Sequence, residues 1–385
     1  MTELRSKLPD VGTTIFTVMS QLALDHNAIN LSQGFPDFDV PKALAELVSK
    51  YISEGKNQYP PMTGVPALRQ AIASKSASLY GAQLDADAEV TVTSGATEAL
   101  FVAIQAVIGS GDEAIVLDPA YDAYDPAIRL AGGHAVHVPM HAPAFRPDWD
   151  RVESAITART RLIVVNSPHN PTGTVFNRAD LDALASIIER HDVLLLSDEV
   201  YEHMVFDNQR HYSLLCDERL RARAFVVSSF GKTYHATGWK VAFCAAPPAL
   251  SAEFRKVHQF VTFTTHTPTQ WALAEFMETC PEHYLELPAF YGAKRDLFLD
   301  RMSASRFRLE PTQGTYFQLA DYSDISSLPD TDFANFLTTQ VGVAAIPVSV
   351  FYEAPPVQQV VRFCFCKDDA TLEAAASKLS SLTHA

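Results

Sequence analysis

Lys232 is the residue of this sequence with the clearest potential for covalent chemistry. It follows an apolar run at residues 224–227 and then the segment Ser-Ser-Phe-Gly at 228–231. The run predicts a buried strand, which would place Lys232 at the strand end in apolar surroundings. Desolvation there disfavours the ammonium, and the neutral amine is the nucleophile that forms a Schiff base with a carbonyl. Taken alone, a solvated lysine in a turn is the commoner situation, because most lysines lie at protein surfaces.

Two further polar residues, Asp198 and Asn170, follow other apolar runs in the same way. Asp198 comes after residues 193–196, and a buried carboxylate needs a partner because an isolated buried charge is very costly. A protonated ring nitrogen would serve, whereas a helix cap is the ordinary alternative. Asn170 lies in the loop at residues 166–173, which contains two X-Pro bonds and a Gly. Such a loop is rigid, so the Asn170 amide would keep one position.

Three more stretches could contact a charged or flat ligand. The turn at residues 94–97 precedes a helical pattern, and free N–H groups at a helix start bind anions, although an ordinary turn would also explain it. Tyr121 follows the run at residues 114–117 and could stack on a flat ring, or could belong to the core. Arg362 lies inside an apolar segment. Its planar fork suits a carboxylate, which could come from a ligand or from a structural Asp or Glu.

The elements that carry these residues predict an open α/β sheet. Short apolar runs alternate with helical stretches from residue 90 onward, which indicates mostly parallel strands joined by crossover helices on both faces. In such sheets ligands bind at the carboxyl ends of the strands. The predicted strands of this sheet are residues 90–93, 114–117, 135–138, 162–165, 193–196 and 225–227.

The two ends of the chain have other patterns. Asp39 before Pro41 predicts a helix start, and Leu68, Ile72, Lys75 and Leu79 share one helical face in a segment that stops at Gly81. From residue 248 the pattern becomes mainly helical, with Pro288 predicted to kink or start the third helix, and it ends in a smaller α+β domain. The predicted elements there are helices at 250–263, 269–279 and 284–302 and strands at 316–319, 343–346 and 360–365.

Composition excludes several classes of protein. The formal net charge of −15 over 385 residues argues against nucleic acid or an anionic membrane as the main partner. The number of cysteines is odd, and they form no Cys-x-x-Cys pair, so we expect reduced thiols in a cytoplasmic protein without a metal site. No signal peptide or membrane span is predicted.

Taken together, these stretches resemble the fold-type I pyridoxal 5′-phosphate aminotransferases over essentially the whole chain. The resemblance is strongest to the branch that contains methionine aminotransferase and kynurenine/glutamine aminotransferase. It implies that Lys232 forms the Schiff base and moves the Cα proton, that Asp198 pairs with the cofactor's pyridinium nitrogen, and that Tyr201 assists as a catalytic residue. The implied cofactor-binding residues are Ala96, Thr97, Tyr121, Asn170, Asp198, Tyr201, Ser229, Lys232, Lys240 and Tyr59.

The resemblance also implies an assembly and a substrate site. Tyr59 would reach the phosphate of a neighbouring subunit, so the active unit would be a homodimer. Residues 39–284 would form the large cofactor-binding domain, and residues 1–38 with 285–385 would form an N-terminal arm and the small domain. The implied substrate-binding residues are Arg362, Gly34, Asn170, Phe16, Tyr59 and His266. Arg362 would grip the α-carboxylate of an amino acid or of a 2-oxo acid.

The sequence departs from the kynurenine and glutamine enzymes at two places. Thr97 replaces an aromatic residue after the phosphate-loop glycine, and Thr265 replaces the Phe that precedes His266. No match to the second arginine of aspartate aminotransferases is found, and the other pocket candidates, Ile15 and Phe35, are apolar. We therefore expect an uncharged amino donor, with methionine favoured over aromatic amino acids and glutamine, and a ping-pong mechanism.

Two alternatives share this scaffold. A kynurenine/glutamine aminotransferase with cysteine-conjugate β-lyase activity would use the same carbanion chemistry and is poorly separated by sequence. A transcriptional regulator built on an aminotransferase domain would carry an additional DNA-binding domain. Only about forty residues are expected to precede the first sheet element, and the charge is strongly negative, so the regulator is disfavoured.

Overall fold

The computed structural model describes residues 5–382 and is organised around a central β-sheet. Within these residues the sheet has seven strands in the order β2-β8-β7-β6-β5-β3-β4. The strands of the described chain are β1 (Ile29–Asn30), β2 (Val90–Thr93), β3 (Glu113–Asp118), β4 (His134–Pro139), β5 (Thr160–Asn166), β6 (Leu194–Asp198), β7 (Ala224–Ser229), β8 (Ala242–Ala245), β9 (Phe317–Asp321), β10 (Val343–Ala344), β11 (Ile346–Pro347) and β12 (Val360–Cys364).

The predicted mostly parallel sheet is confirmed. Strands β3 to β7 pair in parallel, and each predicted apolar run forms a strand within one or two residues of its expected bounds. β8 was not predicted, because its four residues follow the Lys232 segment without a separate helical stretch. It pairs antiparallel with both β7 and β2, and so it joins the first strand of the sheet to the last parallel one.

Helices cover both faces of this sheet. One core contains Leu100 and Ile104 of α4 with Phe254 of α10, and the other contains Leu68 and Leu184 of α3 and α7. The helices are α1 (Ile15–Asp25), α2 (Lys42–Ser53), α3 (Pro66–Tyr80), α4 (Ala96–Val107), α5 (Tyr124–Leu130), α6 (Trp149–Ser154), α7 (Arg178–Arg190), α8 (Glu218–Arg221), α9 (Phe230–Thr233), α10 (Pro248–Val261), α11 (Thr267–Thr279), α12 (Glu282–Met302), α13 (Asp330–Phe336) and α14 (Asp369–Ser380).

Helix ends show where local sequence rules hold. α3 ends at Gly81 as predicted, because this residue takes a left-handed conformation with φ 72° that lets the chain leave the helix. The predicted cap at Asp39 is wrong: α2 starts at Lys42, Pro41 occupies the cap position, and no side chain caps the helix. Pro288 lies inside α12 rather than at its start, and the predicted domain boundary at residues 284 and 285 falls near the beginning of this helix.

A smaller sheet lies beside the first one and carries Arg362. β12 pairs antiparallel with β11 and with β9, so that Arg362 lies opposite Leu319 and Ile346. The predicted strand at residues 343–346 is divided into β10 and β11, and β10 pairs with β1 from the N-terminal part of the chain. No helix among the described residues is long and apolar enough to cross a membrane.

Candidate active site

A cavity of about 290 Å³ lies where the carboxyl ends of the central strands meet the smaller sheet. Twelve of the fourteen predicted site residues line it: Phe16, Gly34, Ala96, Thr97, Tyr121, Asn170, Asp198, Tyr201, Ser229, Lys232, Lys240 and Arg362. The wall also contains Gly95 of the turn at residues 94–97. Other lining residues were not indicated by the sequence as ligand contacts: Gln33, Leu100, Asn166, Val200, Gly231, Thr237, Val241 and Phe317. Distant segments therefore converge as strand-end reasoning predicted.

Lys232 lies in the short helix α9, directly after β7. Its Nζ donates hydrogen bonds to the carbonyl oxygen of Gly34 at 3.0 Å and to the hydroxyl of Tyr316 at 2.7 Å. Both acceptors are neutral, and no carboxylate forms an ion pair with this lysine within residues 5–382. Burial lowers the pKa of Lys232 to about 8, so the neutral amine is accessible near physiological pH.

Asp198 ends β6 with its carboxylate deep in the cavity wall. The Tyr124 hydroxyl donates to its Oδ2 at 2.7 Å, and the backbone N–H of Val200 donates to Oδ1 at 3.3 Å. Burial raises the pKa of Asp198 to about 6, although these hydrogen bonds lower it. The carboxylate has no ion-pair partner in the described chain, and no helix starts here, so the capping alternative does not apply. The site offers a place for a cation that contacts Asp198.

Arg362 lies on the opposite side of the cavity and is fully buried. Its Nη1 donates to Oδ1 of Asn170 at 2.7 Å, its Nη2 donates to the carbonyl of Ser32 at 3.0 Å, and its guanidinium stacks over the Phe317 ring at 3.8 Å. Nε has no hydrogen-bond partner within residues 5–382. The structural Asp or Glu partner is thus absent from this part of the chain, and donors remain for a ligand.

The loop of Asn170 is held by Asn166 at the end of β5. The Asn166 side chain donates to the Asp198 carbonyl at 2.8 Å, and its oxygen accepts the backbone N–H of Asn170 at 2.8 Å. The neighbouring His169 is buried, which lowers its pKa to about 3 and keeps the ring neutral. This network connects the position of Asn170 to that of Asp198.

An anion cradle is formed where β2 and β7 end beside the start of β8. Gly95 precedes α4 with φ 87°, and no side chain caps the first N–H groups of this helix. A Cβ on Gly95 would lie 2.9 Å from Cε of Lys240, so the lysine side chain would have to shift, and the positive φ of Gly95 favours glycine at this position. Thr97 and Ser229 add hydroxyls to the same wall. An ammonium and a free helix N-terminus together suit a phosphate.

Tyr59 and His266 lie outside this cavity. They line a separate surface depression of about 430 Å³ with residues 57, 58 and 264–268. The Tyr59 side chain is 83% exposed and contacts the Phe263 ring edge-on at 5.6 Å. Their predicted roles require a second subunit and stay predictions.

Known proteins match this chain along nearly its whole length. The model of the family described as aminotransferase class I and II matches residues 26–379. Methionine aminotransferase of Escherichia coli K12 is 53% identical over 98% of each chain. The chain belongs to the class I and II aminotransferase family. YbdL from Escherichia coli, whose crystal structure and reactivity identify a methionine aminotransferase function, has a TM-score of 0.97 at 53% identity and covers 99% of this chain and 100% of its own.

More distant relatives of this aminotransferase have other named substrates. A probable N-succinyldiaminopimelate aminotransferase, DapC, of Mycobacterium tuberculosis is 37% identical over 98% of each chain. Kynurenine–oxoglutarate transaminase 1 of Mus musculus is 35% identical and covers 97% of this chain and 96% of its own. The fold and the aminotransferase class are therefore shared, whereas the named substrates differ.

Sequence reasoning missed two hydroxyls that contact the central groups of this aminotransferase. Tyr316 binds Lys232, and Tyr124 binds Asp198. Tyr124 follows Tyr121 by three residues at the start of α5, so a search for a second tyrosine after the strand could have found it. Tyr316 reaches Lys232 across 84 positions of the chain, and no local pattern indicates that contact.

Proposed function

We propose that this aminotransferase transfers the α-amino group of a neutral amino acid, with methionine preferred, to a 2-oxo acid by a ping-pong mechanism with pyridoxal 5′-phosphate. The observation that carries the proposal is the arrangement around one cavity of a desolvated lysine, an unpaired buried carboxylate and a buried arginine with a free donor. The 53% identity to a methionine aminotransferase supports the choice of donor.

The residues present fit the cofactor. Asp198 has no ion-pair partner within residues 5–382 and would accept the protonated ring nitrogen, while Tyr121 would face the ring. The side-chain nitrogen Nδ2 of Asn170 has no hydrogen bond in the described chain. Together with the Tyr201 hydroxyl, it would donate a hydrogen bond to the ring oxygen. Ala96, Thr97, Ser229 and Lys240 would hold the phosphate in the cradle described above. The ring nitrogen, the ring oxygen and the phosphate of the cofactor would thus each meet protein groups of complementary charge or hydrogen-bonding type.

In this proposal, Arg362 binds the substrate and Lys232 transfers the proton. Arg362 binds the substrate α-carboxylate through its remaining N–H donors, close to Gly34. The bound cofactor supplies a cationic, electron-withdrawing ring that delocalises the negative charge left by loss of the Cα proton. Lys232 takes that proton on Nζ and later returns it, which a pKa near 8 permits close to neutral pH.

The charges of the cavity favour a neutral donor. Lys232, Lys240 and Arg362 are the cationic side chains of the wall among the described residues, and each already has a proposed role. No cation remains for a side-chain carboxylate. Phe16 and Phe317 provide apolar surface next to Arg362, as the ring distances of 5.4 and 3.8 Å show. A thioether side chain packs well on aromatic rings.

A single-turnover screen tests this proposal. Purified enzyme with its cofactor is mixed with one amino acid at a time, without an acceptor, and the 2-oxo acid formed per active site is measured with the cofactor absorbance. We expect fast conversion of methionine, slower conversion of phenylalanine and tyrosine, and little of aspartate. Equal or faster conversion of aspartate would contradict the neutral-donor proposal.

The alternative is a kynurenine or glutamine aminotransferase with cysteine-conjugate β-lyase activity, for which the 35% identity to a kynurenine–oxoglutarate transaminase is the supporting observation. Release of pyruvate and ammonia from a cysteine conjugate, without a 2-oxo acid acceptor, would favour it. Conversion of methionine without such release would favour the aminotransferase proposal.

We further propose the organisation of the working enzyme. The active unit is a homodimer in the cytoplasm, in which Tyr59 and His266 of each subunit complete the site of the other. Their exposure and their shared depression support this assembly, as does the exposed Phe263, whose ring contacts that of Tyr59. Residues 39–284 form the large domain, and the arm (residues 1–38) with residues 285–385 forms the small one.

A further inference from the structure

We infer that Tyr316 is a catalytic residue: together with the Gly34 carbonyl, its hydroxyl occupies the N–H bonds of Lys232 and so aims the nitrogen lone pair into the cavity. This inference rests on the proposed role of Lys232 as the base that removes the Cα proton. It assigns a function to a tyrosine that the sequence did not single out.

Three polar atoms form a closed hydrogen-bonded set. Lys232 Nζ donates to the Tyr316 hydroxyl at 2.7 Å and to the Gly34 carbonyl at 3.0 Å. The Tyr316 hydroxyl in turn donates its own proton to the same Gly34 carbonyl. The carbonyl accepts two hydrogen bonds with its two lone pairs, so each donor and acceptor of the set is used.

The valence of a neutral amine gives this set a consequence. Nζ carries two N–H bonds and one lone pair, and the two acceptors take both N–H bonds. The lone pair must then point in the remaining tetrahedral direction, which we infer to face the cavity that Lys232 lines. An amine without these acceptors would rotate about its Cε–Nζ bond and present an N–H bond there for part of the time.

The proton transfer can be followed through this arrangement. The Cα–H bond of the substrate breaks, its proton binds the lone pair of Nζ, and the bonding electrons stay on the substrate. Nζ becomes an ammonium with three N–H bonds, two of which already have acceptors. The third carries the proton that is returned later, so the hydrogen bonds to Tyr316 and Gly34 persist through the step.

Tyr316 is held firmly and does not compete for this proton. Its side chain is 1% exposed, and its ring contacts those of Tyr201, Phe317 and Tyr291 at 5.1, 4.9 and 5.7 Å. Burial raises the pKa of Tyr316 well above its ordinary value, so the phenol keeps its proton. It therefore orients the amine and does not act as a base.

The experiment compares Tyr316→Phe with Tyr291→Phe in the enzyme with its cofactor. Both substitutions remove one buried hydroxyl and keep the ring, but the Tyr291 hydroxyl contacts His235 at 3.0 Å and Cys366 at 3.3 Å. Single-turnover rates are measured at saturating methionine, with hydrogen and with deuterium at Cα. Thermal unfolding of both variants is measured beside them.

For Tyr316→Phe we expect a rate about fivefold to tenfold lower, corresponding to the loss of one hydrogen bond that positions the base. The deuterium isotope effect should rise because proton transfer becomes slower, while the methionine dissociation constant stays within about twofold. Tyr291→Phe should match the wild type in rate and isotope effect. A purely structural role of Tyr316 would change the melting temperature without changing the isotope effect.

A second measurement does not depend on turnover. The full chain is freed of cofactor, and the rate at which it takes up pyridoxal 5′-phosphate is followed by absorbance. The same lone pair attacks the aldehyde, so uptake should be severalfold slower in Tyr316→Phe and unchanged in Tyr291→Phe.

The possible failures can be told apart. If the wild type does not convert methionine, or if Lys232→Ala converts it at the wild-type rate, the proposed function is wrong. If the wild type converts methionine and Tyr316→Phe equals it in rate, isotope effect and cofactor uptake, only the role of Tyr316 is wrong.

Discussion

Lys232 and Lys75 lie in opposite environments, and the difference separates the proposed nucleophile from a structural cation. Lys232 contacts only neutral oxygens, those of Gly34 and Tyr316. Lys75 of α3 forms an ion pair with Glu202 at 2.7 Å, and the two side chains are 5% and 3% exposed. Glu202 also accepts hydrogen bonds from Tyr80 and Ser228. Burial therefore favours the neutral amine in Lys232 because no carboxylate partner stabilises its ammonium.

The largest effect on activity should come from replacing Lys232 by a neutral residue, with the replacement of Lys75 as the control. Lys232→Ala removes the proposed nucleophile and base, so we expect at least about a thousandfold loss in single-turnover rate and loss of the absorbance of the covalently bound cofactor. Lys75→Met is the matched control, because it removes a buried ammonium that does not line the cavity. A folded Lys75→Met enzyme that loses as much activity as Lys232→Ala would break the comparison.

Lys75→Met should instead reduce stability. It leaves the buried Glu202 carboxylate without its cation, and breaking a buried ion pair costs about 3–5 kcal/mol. Adding Glu202→Gln should recover a large part of this loss, since the uncompensated charge is then gone. Urea unfolding of the wild type, the single variant and the double variant measures both values. Equal stability of single and double variants would show that the pair is not coupled.

Arg362 extends the comparison to a third cationic side chain, which, like that of Lys232, has no carboxylate partner among the described residues. Arg362→Lys should raise the Michaelis constants of all amino acids in parallel, by about tenfold to a hundredfold, because hydrogen bonds to charged groups contribute about 1.5–3 kcal/mol. The side chain of the amino acid should not matter, since the α-carboxylate is common to all. Steady-state kinetics with methionine and phenylalanine tests this, and unchanged constants would assign Arg362 a structural role.

The smallest effect concerns pH. Burial lowers the pKa of Lys232 to about 8, so its amine is protonated below this value and neutral above it. The rate at which the cofactor-free enzyme takes up pyridoxal 5′-phosphate should therefore rise with pH and level off above a midpoint near 8. An exposed lysine would give a midpoint above 10. A midpoint in that higher range would mean that Lys232 is solvated.

The contribution of Glu202 to stability should depend on pH in the acidic range, whereas the effect of Lys232 lies near pH 8. Burial raises its pKa, but the attraction of Lys75 and His203 and the hydrogen bonds from Lys75 and Ser228 together outweigh this and hold the pKa well below its ordinary value. Its contribution to stability is thus present above the unfolded-state value near 4.5 and is lost as the pH falls below it. Acid unfolding of Glu202→Gln, compared with the wild type, should show a weaker dependence on pH in that range.

Sequence reasoning worked best where one rule of topology fixed the outcome. Lys232, Asp198 and Asn170 each follow an apolar run, and parallel strands bring such positions to one edge of the sheet. The resemblance to a family then supplied Lys240, Ser229 and the other cradle residues. Local spacing also placed Lys75 on the buried face of α3, although it gave no hint of its partner.

The contacts that escaped prediction join distant segments through side chains. Lys75 and Glu202 are 127 positions apart, and Lys232 and Tyr316 are 84 apart. No periodicity encodes such a pair, because it depends on how α3 and the smaller sheet pack against the central one. β8 escaped for another reason: its four residues follow the Lys232 segment without a separate helical stretch before them, and so short a run gives too little pattern to identify a strand. The failed cap at Asp39 shows that a favourable residue type does not fix the first residue of a helix.

The position of β8 also has a consequence for how the chain matures. Ala242 lies opposite both Thr93 of β2 and Ser229 of β7, so this one strand brings together cradle segments that are more than a hundred residues apart. Pairings of that sequence separation form slowly, because the long intervening chain must be closed first. In a newly made chain in which β2 has not yet paired with β8, the part of the anion cradle that follows β2 is not yet in place. If the proposed cofactor binds in the cradle, it would favour completed molecules and, by mass action, stabilise them against unfolding.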